Sequence, residues 1–326
     1  MPDQLTASVV IPTFRRPDHV RQCLEHLAAL RTAPLEVLVV DASPDGATRA
    51  VVEDFPGALY LRNDLGAGRT PESRALGVTA ARGDVVAFVD DDAYVTETWL
   101  DEILAPYADP AVTGVGGRIV NGVPGEDRVG LDAIGRLLPD GRLLGNFTAD
   151  PGRVVAVDHF LGANMSFRRQ AILDVGGVHG GYPAPCVCEE SDIALRQRAL
   201  GRRLVFNPAA VVRHVSAPYS IRGDRFDRRW HYVARRNHAA MLVRVFGPTA
   251  SHTRAYPVTV LRHTAREVRS AAGRAVRTPS QDSARRLVGA VVRTPIELAG
   301  VVVGLRAGAV ARRTDVVRGG GRARPR

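Results

Sequence analysis

Short apolar runs of strand length alternate with stretches in which apolar residues recur every three or four positions. The runs are rich in valine, isoleucine and leucine and cover residues 8–14, 36–41, 58–61 and 85–89. The helical spacing is clearest over 17–30, and a second helix is predicted over 72–81. This alternation predicts an α/β fold with a mostly parallel central sheet and helices on both of its faces.

The pattern changes in the second half of the chain. A helical pattern begins at residue 189, strand pieces follow over 204–206 and 211–212, and amphipathic helical segments dominate beyond about 216. We predict an α/β domain over 1–215 and a helical, arginine-rich extension over 216–326 with a disordered end. Charged residues interrupt the most apolar segment, 285–313, so no clear membrane span is expected.

The charge is distributed unevenly along the chain. Residues 211–326 contain 24 arginines and 6 acidic residues, a net charge of +18, whereas residues 1–210 have a net charge of −8. Such a basic segment indicates an anionic partner surface, and its amphipathic helices suit the interface of a membrane. The alternative is that their apolar faces pack on the α/β domain. Nucleic acid is not expected as a partner, because no aromatic residues are interleaved for base stacking.

Three consecutive aspartates, Asp90, Asp91 and Asp92, follow the apolar run 85–89 directly, and Asp41 ends the run 36–41. Right-handed crossovers place the carboxyl ends of parallel strands at one edge of the sheet, where ligands bind. Clustered carboxylates favour a hard cation, Mg²⁺ or Mn²⁺, which proteins often hold together with substrate phosphates. The pattern therefore predicts a metal-assisted site for a diphosphate compound. A solvated acidic turn explains the triplet alone equally well.

A second acidic group, Glu189-Glu190-Ser191-Asp192, opens the helical pattern at 189. Acidic residues are favourable at a helix N-terminus because of the helix dipole, so a purely structural role is a serious alternative. Two nucleotide-binding classes are excluded: no G-x-G-x-x-G follows the first strand, and the chain has no lysine for a P-loop.

With these residues in place, the chain resembles the inverting glycosyltransferases of family 2, which have the GT-A fold, over about residues 6–240. The segments that resemble family motifs are, in the family's order, 9–16, 36–41, 72–77, 88–92, 162–169, 189–196 and His214. Each motif alone is weak, but their order is specific. Ala42, Ala75 and Glu190 depart from the residues usual in the family.

The resemblance implies a role for each matching position. Residues 1–92 would form the nucleotide-binding part and 93–215 the acceptor part. Contacts with the nucleotide-sugar donor are implied for Pro12, Thr13, Arg15, Asp41, Arg74, Asp90 and Asp91. Asp92, Asp90 and His214 would bind Mg²⁺ or Mn²⁺. Glu190 is the expected general base, and Glu189 and Asp192 remain alternatives.

The resemblance thus implies transfer of a sugar from a nucleotide-diphosphate sugar to a hydroxyl of a lipid-linked or cell-envelope glycan. We expect a cytoplasmic protein, peripheral at the inner face of the cell membrane; three cysteines without a C-x-x-C pair suit a reducing compartment. One alternative is a Mg²⁺-dependent nucleotidyltransferase, although Arg15-Arg16-Pro17 lacks the glycines usual in that class. The other is a non-enzymatic protein that binds membrane or nucleic acid.

Overall fold

Eleven strands occur in the described residues, 5–215 and 227–319 of the computed structural model, with side chains described as far as Asp315. They are β1 (Ala7–Thr13), β2 (Glu36–Asp41), β3 (Ala58–Arg62), β4 (Val85–Val89), β5 (Ala93–Val95), β6 (Val112–Val120), β7 (Arg136–Leu137), β8 (Leu143–Leu144), β9 (Val155–Ala156), β10 (Asn164–Arg168) and β11 (Arg203–His214). One sheet has the order β3-β2-β1-β4-β10-β6-β11-β5, with β9 paired to β11. β5, β9 and β10 run antiparallel to their neighbours and the other pairs are parallel, which confirms the predicted mostly parallel sheet.

Nine α-helices lie in the same described residues. They are α1 (Pro17–Ala28), α2 (Ala47–Glu53), α3 (Thr70–Ala80), α4 (Trp99–Leu104), α5 (Arg169–Asp174), α6 (Glu189–Ala199), α7 (Arg228–Phe246), α8 (Ser251–Arg277) and α9 (Gln281–Gly319). The two strand pieces predicted at 204–206 and 211–212 belong to one strand, β11, whose pairing with β6 is irregular between Asn207 and Val211. The amphipathic helical pattern predicted beyond about 216 corresponds to α7, α8 and α9, and α8 contains Pro257 in its interior.

The core forms around β1, β2 and β4, in which every residue is buried. Burial on both faces explains why these strands are continuous apolar runs rather than alternating ones. α1 begins at Pro17, where a missing backbone N–H costs nothing, and turns Val20 and Leu24 toward the core. α3 lies close to β1 because Gly77 has no side chain; a Cβ there would be 2.3 Å from Val10 Cγ1.

The chain divides into two compact units. Of the described residues, unit 1 contains 5–136, 143–181 and 189–215, which include the whole nine-stranded sheet. Unit 2 contains 137–142, 182–188 and 227–319. The junction of the predicted domains 1–215 and 216–326 borders residues outside the description, so that division stays a prediction. The predicted disordered end, 318–326, lies almost wholly outside the described residues.

α7, α8 and α9 pack against one another within unit 2. Gly300, Gly304 and Gly308 form one line on the buried face of α9, and a Cβ at any of them would lie 2.3–2.5 Å from a backbone oxygen of α7. Small residues at this spacing let two helix backbones approach closely. On the same face, buried Glu297 accepts a 2.8 Å hydrogen bond from Arg235 Nε of α7.

α9 is long and apolar enough over Gln281–Asp315, by length and composition, to cross a membrane; it is the one such helix in the described part of the chain. Length and composition alone do not establish a span, so the expectation of no clear span stays a prediction. The interrupting charges have partners within the unit: Glu297 pairs with Arg235, and Arg293 lies 3.4 Å from Glu267. Of the most apolar window, 28% is buried.

Candidate active site

The carboxyl ends of β1, β4 and β11 meet the amino end of β10 at one edge of the sheet. β1 pairs in parallel with β4, and antiparallel β10 places Asn164 opposite Val89, the last residue of β4. β11 places His214 opposite Ala93 of β5. The segments that follow β1 and β4 and the segment that precedes β10 therefore converge, as expected for the binding edge of an open α/β sheet.

Asp91 is the buried member of the aspartate triplet. Thr13 Oγ1 donates to its Oδ2 at 2.7 Å, and Arg16 Nη1 donates to its Oδ1 at 2.9 Å. Burial raises the pKa of Asp91 to about 7, with the Arg16 charge lowering it and the Asp92 charge raising it further. Because both oxygens are engaged by β1 and the segment after it, Asp91 fixes the β4 end to β1.

Asp92 lies between a guanidinium and an imidazole. Arg16 Nη1 donates to Asp92 Oδ2 at 3.2 Å, and His214 Nε2 is 3.1 Å from Asp92 Oδ1. Burial lowers the pKa of Arg16, but the charges of Asp91 and Asp92 outweigh it and the net shift is upward. Arg16 therefore stays a cation that compensates these two carboxylates.

Asp90, Asp92 and His214 form the one cluster of possible metal ligands found in residues 5–215 and 227–319. One ligand atom from each lies within 4.8 Å of the other two. Two carboxylates and one imidazole suit a six-coordinate divalent ion that keeps further positions for substrate oxygens. The three residues predicted as ligands are thus brought together, and their donor set fits the implied ion.

Arg74 joins the aspartates to the second acidic group. It is buried, its Nη2 donates to Asp90 Oδ1 at 2.8 Å, and its Nη1 pairs with Glu189 Oε1. Nη2 also donates to the Gly162 carbonyl at 3.1 Å. A Cβ on Gly162 would lie 2.5 Å from Arg74 Nη2, so this arrangement requires glycine there.

The three acids at the start of α6 have different surroundings. Glu189 is buried against Arg74, whereas Asp192 is fully buried and accepts a 2.7 Å hydrogen bond from Arg196 Nε. The Nδ1 of His179 lies 3.1 Å from the same Asp192 oxygen. Glu190 is only partly buried. The helix dipole favours all three carboxylates at this N-terminus.

The remaining predicted donor residues lie on β1, on β2 and just after β1. Asp41 ends β2 opposite Thr13 and is fully buried; its oxygens accept hydrogen bonds from Ser43 and from Tyr60. Pro12 is buried within β1. Arg15 is exposed with a φ of 55°, and its backbone N–H donates to Ser43 Oγ at 2.7 Å. Their donor contacts stay predictions.

Sequence reasoning missed two residues of this site. It selected Arg15, but Arg16 is the residue whose side chain reaches the aspartates. The sequence position of Arg16 could have identified it, since Arg16 follows β1 and directly precedes α1 at the same edge of the sheet. Gly162 was quoted within a motif without a role, because no sequence pattern reveals that the Arg74 guanidinium occupies the space of its missing side chain.

Comparisons with curated proteins agree on one family. The protein-family model described as Glycosyl transferase family 2 matches residues 8–175 of this chain. The chain is 32% identical over 221 residues to the pre-mycofactocin glycosyltransferase of Mycobacterium tuberculosis, covering 65% of this chain but only 43% of that protein. It is 28% identical over 234 residues to the glucosyl-dolichyl phosphate glucuronosyltransferase of Haloferax volcanii, covering 68% and 72%. The chain thus spans less than half the length of the first of these relatives.

Solved structures share the architecture. The mannosyltransferase PcManGT from Pyrobaculum calidifontis, in complex with GDP-Man and Mn²⁺, has a TM-score of 0.60 at 19% identity, covering 97% of this chain and 88% of that one. GalNAc-T7 with UDP, GalNAc and Mn²⁺ has a TM-score of 0.55 at 15% identity, covering 74% and 49%. At these identities the likeness shows the fold alone.

Proposed function

Because the chain belongs to glycosyl transferase family 2, we propose that it transfers a sugar, with inversion, from a nucleotide-diphosphate sugar to a hydroxyl of a lipid-linked or cell-envelope glycan. The chain has the GT-A fold and is a glycosyltransferase, so the nucleotidyltransferase and non-enzymatic alternatives were wrong. The observation that best supports the proposed chemistry is the Arg74 bridge. It ties Asp90, one of the possible metal ligands, to Glu189, next to the proposed base.

On the donor side, Asp90, Asp92 and His214 would hold a divalent ion. When bound, that ion supplies positive charge that stabilises the departing diphosphate. Thr13 and Arg16 hold Asp91 and Asp92 in place, which keeps the ligand geometry defined before the donor arrives. Pro12, Arg15 and Asp41 would contact the nucleotide, and Arg74 would add positive charge near its phosphates.

On the acceptor side, Glu190 is the proposed general base. It takes the proton from the acceptor hydroxyl; the hydroxyl oxygen forms a bond to the anomeric carbon, and the bond from that carbon to the phosphate oxygen breaks. The electron pair of the broken bond leaves with the nucleoside diphosphate. Glu190 is proposed because it holds the position of the base in the family motif that residues 189–196 resemble, next to Glu189, which Arg74 ties to Asp90.

Mn²⁺ is the proposed ion in preference to Mg²⁺. Mg²⁺ strongly prefers an all-oxygen octahedron, whereas the cluster contains the imidazole nitrogen of His214. Two structural neighbours were solved with Mn²⁺. Mn²⁺ should therefore stabilise the protein at lower concentrations than Mg²⁺ does.

The proposed location is the cytoplasmic side of the cell membrane, with the C-terminal extension at an anionic lipid surface. One relative is named for a dolichyl phosphate substrate, and α9 is apolar enough to enter a membrane. Both observations suit an acceptor that is itself anchored in lipid.

The first experiment is a thermal-shift screen of nucleotide sugars in Mn²⁺, because a bound donor raises the melting temperature. The best donor is then used for a hydrolysis assay of wild type, Asp92→Ala and Glu190→Gln. We expect Asp92→Ala to lose Mn²⁺-dependent stabilisation and turnover. Glu190→Gln should keep donor binding and lose about 10²–10⁴-fold in turnover.

Matched controls are Asp64→Ala and Glu53→Gln, which change exposed acids on the same unit. Both should turn over as wild type does. Full turnover in Glu190→Gln would transfer the base role to Glu189 or Asp192, and undiminished Mn²⁺ stabilisation in Asp92→Ala would contradict the proposed metal site.

A further inference from the structure

The outward face of α9 is apolar over several turns. Between Val288 and Val303 the exposed positions are Val288, Val291, Pro295, Ala299, Val302 and Val303, which we call the apolar ridge. Its valines are 41–61% exposed. The ridge extends for about 22 Å along the helix, and no charged residue is among its exposed positions.

The opposite face of α9 packs against the other helices of unit 2. Gly300, Gly304 and Gly308 place the α9 backbone against that of α7, and buried Glu297 pairs with Arg235. Arg312 Nη1 donates to two carbonyl oxygens at the end of α7, at 2.7 and 2.9 Å. A helix held this way presents one face outward, whereas a lone spanning helix meets lipid on every side.

Arginine predominates among the exposed charged residues of α8 and α9. In the described side chains of α8 and α9, ten arginines are exposed: Arg254, Arg262, Arg266, Arg269, Arg274, Arg277, Arg285, Arg286, Arg306 and Arg313. Among the acids of the same stretch, only Asp282 is classed as exposed, and it accepts a hydrogen bond from Arg286. Along α9 itself, exposed arginines precede the ridge at 285–286 and follow it at 306 and 313. An apolar strip with arginines at both ends is complementary to a layer of anionic headgroups over hydrocarbon.

We propose that α9 lies in the interface of an anionic bilayer, with the apolar ridge in the acyl region and the arginines at the headgroups. This deepens the membrane location proposed above by naming the surface and its orientation. A second copy of the chain is a poorer occupant. A two-fold pairing of this face would bring like-charged arginines together with few acids to compensate them.

The depth of α9 in the bilayer is measured with a tryptophan placed on the apolar ridge. Full-length Val302→Trp is bound to vesicles of phosphatidylglycerol and phosphatidylcholine in equal parts, with lipids brominated either near the headgroup or near the bilayer centre. The fluorescence of Trp99 and Trp230 in the wild type is the background against which the new tryptophan is measured. If α9 lies in the interface, bromines near the headgroup should quench that tryptophan more strongly than bromines near the bilayer centre. Stronger quenching from the bilayer centre would overturn the interfacial orientation in favour of a span.

The affinity of the protein for lipid vesicles is measured by flotation, with the wild type compared with two double variants. Val291→Asn with Val302→Asn removes apolar area and should weaken binding to these vesicles about tenfold or more. Arg306→Gln with Arg313→Gln should weaken it by about the same factor on anionic vesicles, with little change on phosphatidylcholine alone. The matched control is Leu35→Asn, an apolar residue 47% exposed in unit 1, which should float as wild type does.

Three results would contradict the proposal: no flotation of wild type, equal flotation of the valine variant, or a lipid-free dimer that the valine variant abolishes. Sedimentation without lipid tests for that dimer. Hydrolysis of the soluble donor is assayed in parallel. A wild type that hydrolyses the donor but does not float would defeat this inference and leave the proposed sugar transfer standing. A wild type that floats but hydrolyses no donor would do the opposite.

Discussion

At the scale of single residues, the site is organised by two arginines that compensate acids. Arg16 contacts Asp91 and Asp92, and Arg74 contacts Asp90 and Glu189. Buried carboxylates without such partners would carry a large desolvation cost. The two guanidiniums therefore offset part of the cost of gathering acids from two distant segments at one sheet edge.

The Arg74 bridge gives a prediction for Gly162→Ala. The new methyl group would meet a guanidinium that is only 3% exposed and cannot move without leaving its carboxylate partners. Displacing Asp90 and Glu189 by about an ångström should lower turnover about 10²-fold. The measurement is donor hydrolysis together with Mn²⁺ affinity from thermal shifts.

Gly145→Ala is the control, because its Cβ would make only ordinary contact, 3.5 Å from Phe147. It should retain turnover and Mn²⁺ affinity. Unchanged kinetics in Gly162→Ala, with the fold intact by circular dichroism, would show that the position of Arg74 is not critical.

His159 gives a prediction about pH. Burial lowers its pKa below 6.5, and its Nε2 lies 3.0 Å from the Leu144 carbonyl oxygen. Below about pH 6.5 the unfolded chain therefore binds a proton that the folded chain resists, so the free energy of unfolding falls as pH decreases. His159→Gln should flatten this dependence between about pH 6.5 and 5, where one proton corresponds to about 1.4 kcal/mol per pH unit.

The comparison is made by urea denaturation across that pH range. His263→Gln, at an exposed position of α8, is the control and should keep the wild-type slope. The pKa of Asp91, about 7, lies close to this pH range. Its contribution is common to all the variants and cancels when their slopes are subtracted. Equal slopes in wild type and His159→Gln would refute the assignment.

At the scale of elements, the sequence predicted β2 and β4 to the residue and the other early strands within one or two positions. Buried parallel strands allow this, because their apolar runs are uninterrupted and turn residues bound them. β10 was not predicted as an antiparallel member, since its pairing with β4 and β6 depends on tertiary position. The packing of α9 was not predicted for the same reason, because the partners of Glu297 and Arg293 lie far away in sequence.

The glycine line of α9 yields a prediction for helix packing. In Gly304→Ala the Cβ would lie 2.3 Å from the Arg236 carbonyl oxygen, so α7 and α9 must separate. We expect a loss of about 1–3 kcal/mol in the free energy of unfolding. Gly289→Ala, in the same helix with no atom within 4 Å of its Cβ, should instead stabilise by about 0.5–1 kcal/mol. Chemical denaturation measures both, and equal effects would refute close packing as the role of Gly304.

At the scale of the whole molecule, the uneven charge predicts salt-dependent membrane binding. Residues 211–326 hold a net charge of +18, and salt at about 1 M screens charges beyond about 3 Å. Flotation with anionic vesicles should therefore weaken severalfold between low and high salt, whereas any binding to phosphatidylcholine should not. Salt-independent flotation on both vesicles would assign the attraction to the apolar ridge alone.

The general location of the site was predictable, since it follows from strand ends and acids. The side-chain contacts within the site were not predictable. The partners of Arg74, Asp41 and Asp192 are set by side-chain directions that one sequence does not specify. The donor and acceptor are set by pocket shape, which lies further still from any sequence pattern.

The reversed direction of β10 has an evolutionary consequence. The chain reaches this edge of the sheet at the end of β6 and starts β10 from the same edge; of the intervening residues 121–163, only β9 pairs within the nine-stranded sheet. Insertions or deletions in the loops of 121–163, outside β7, β8 and β9, can be absorbed without shifting β6 or β10. Lineages could thus diverge in these loops while inheriting unchanged the strand ends beside Asp90 and Asn164.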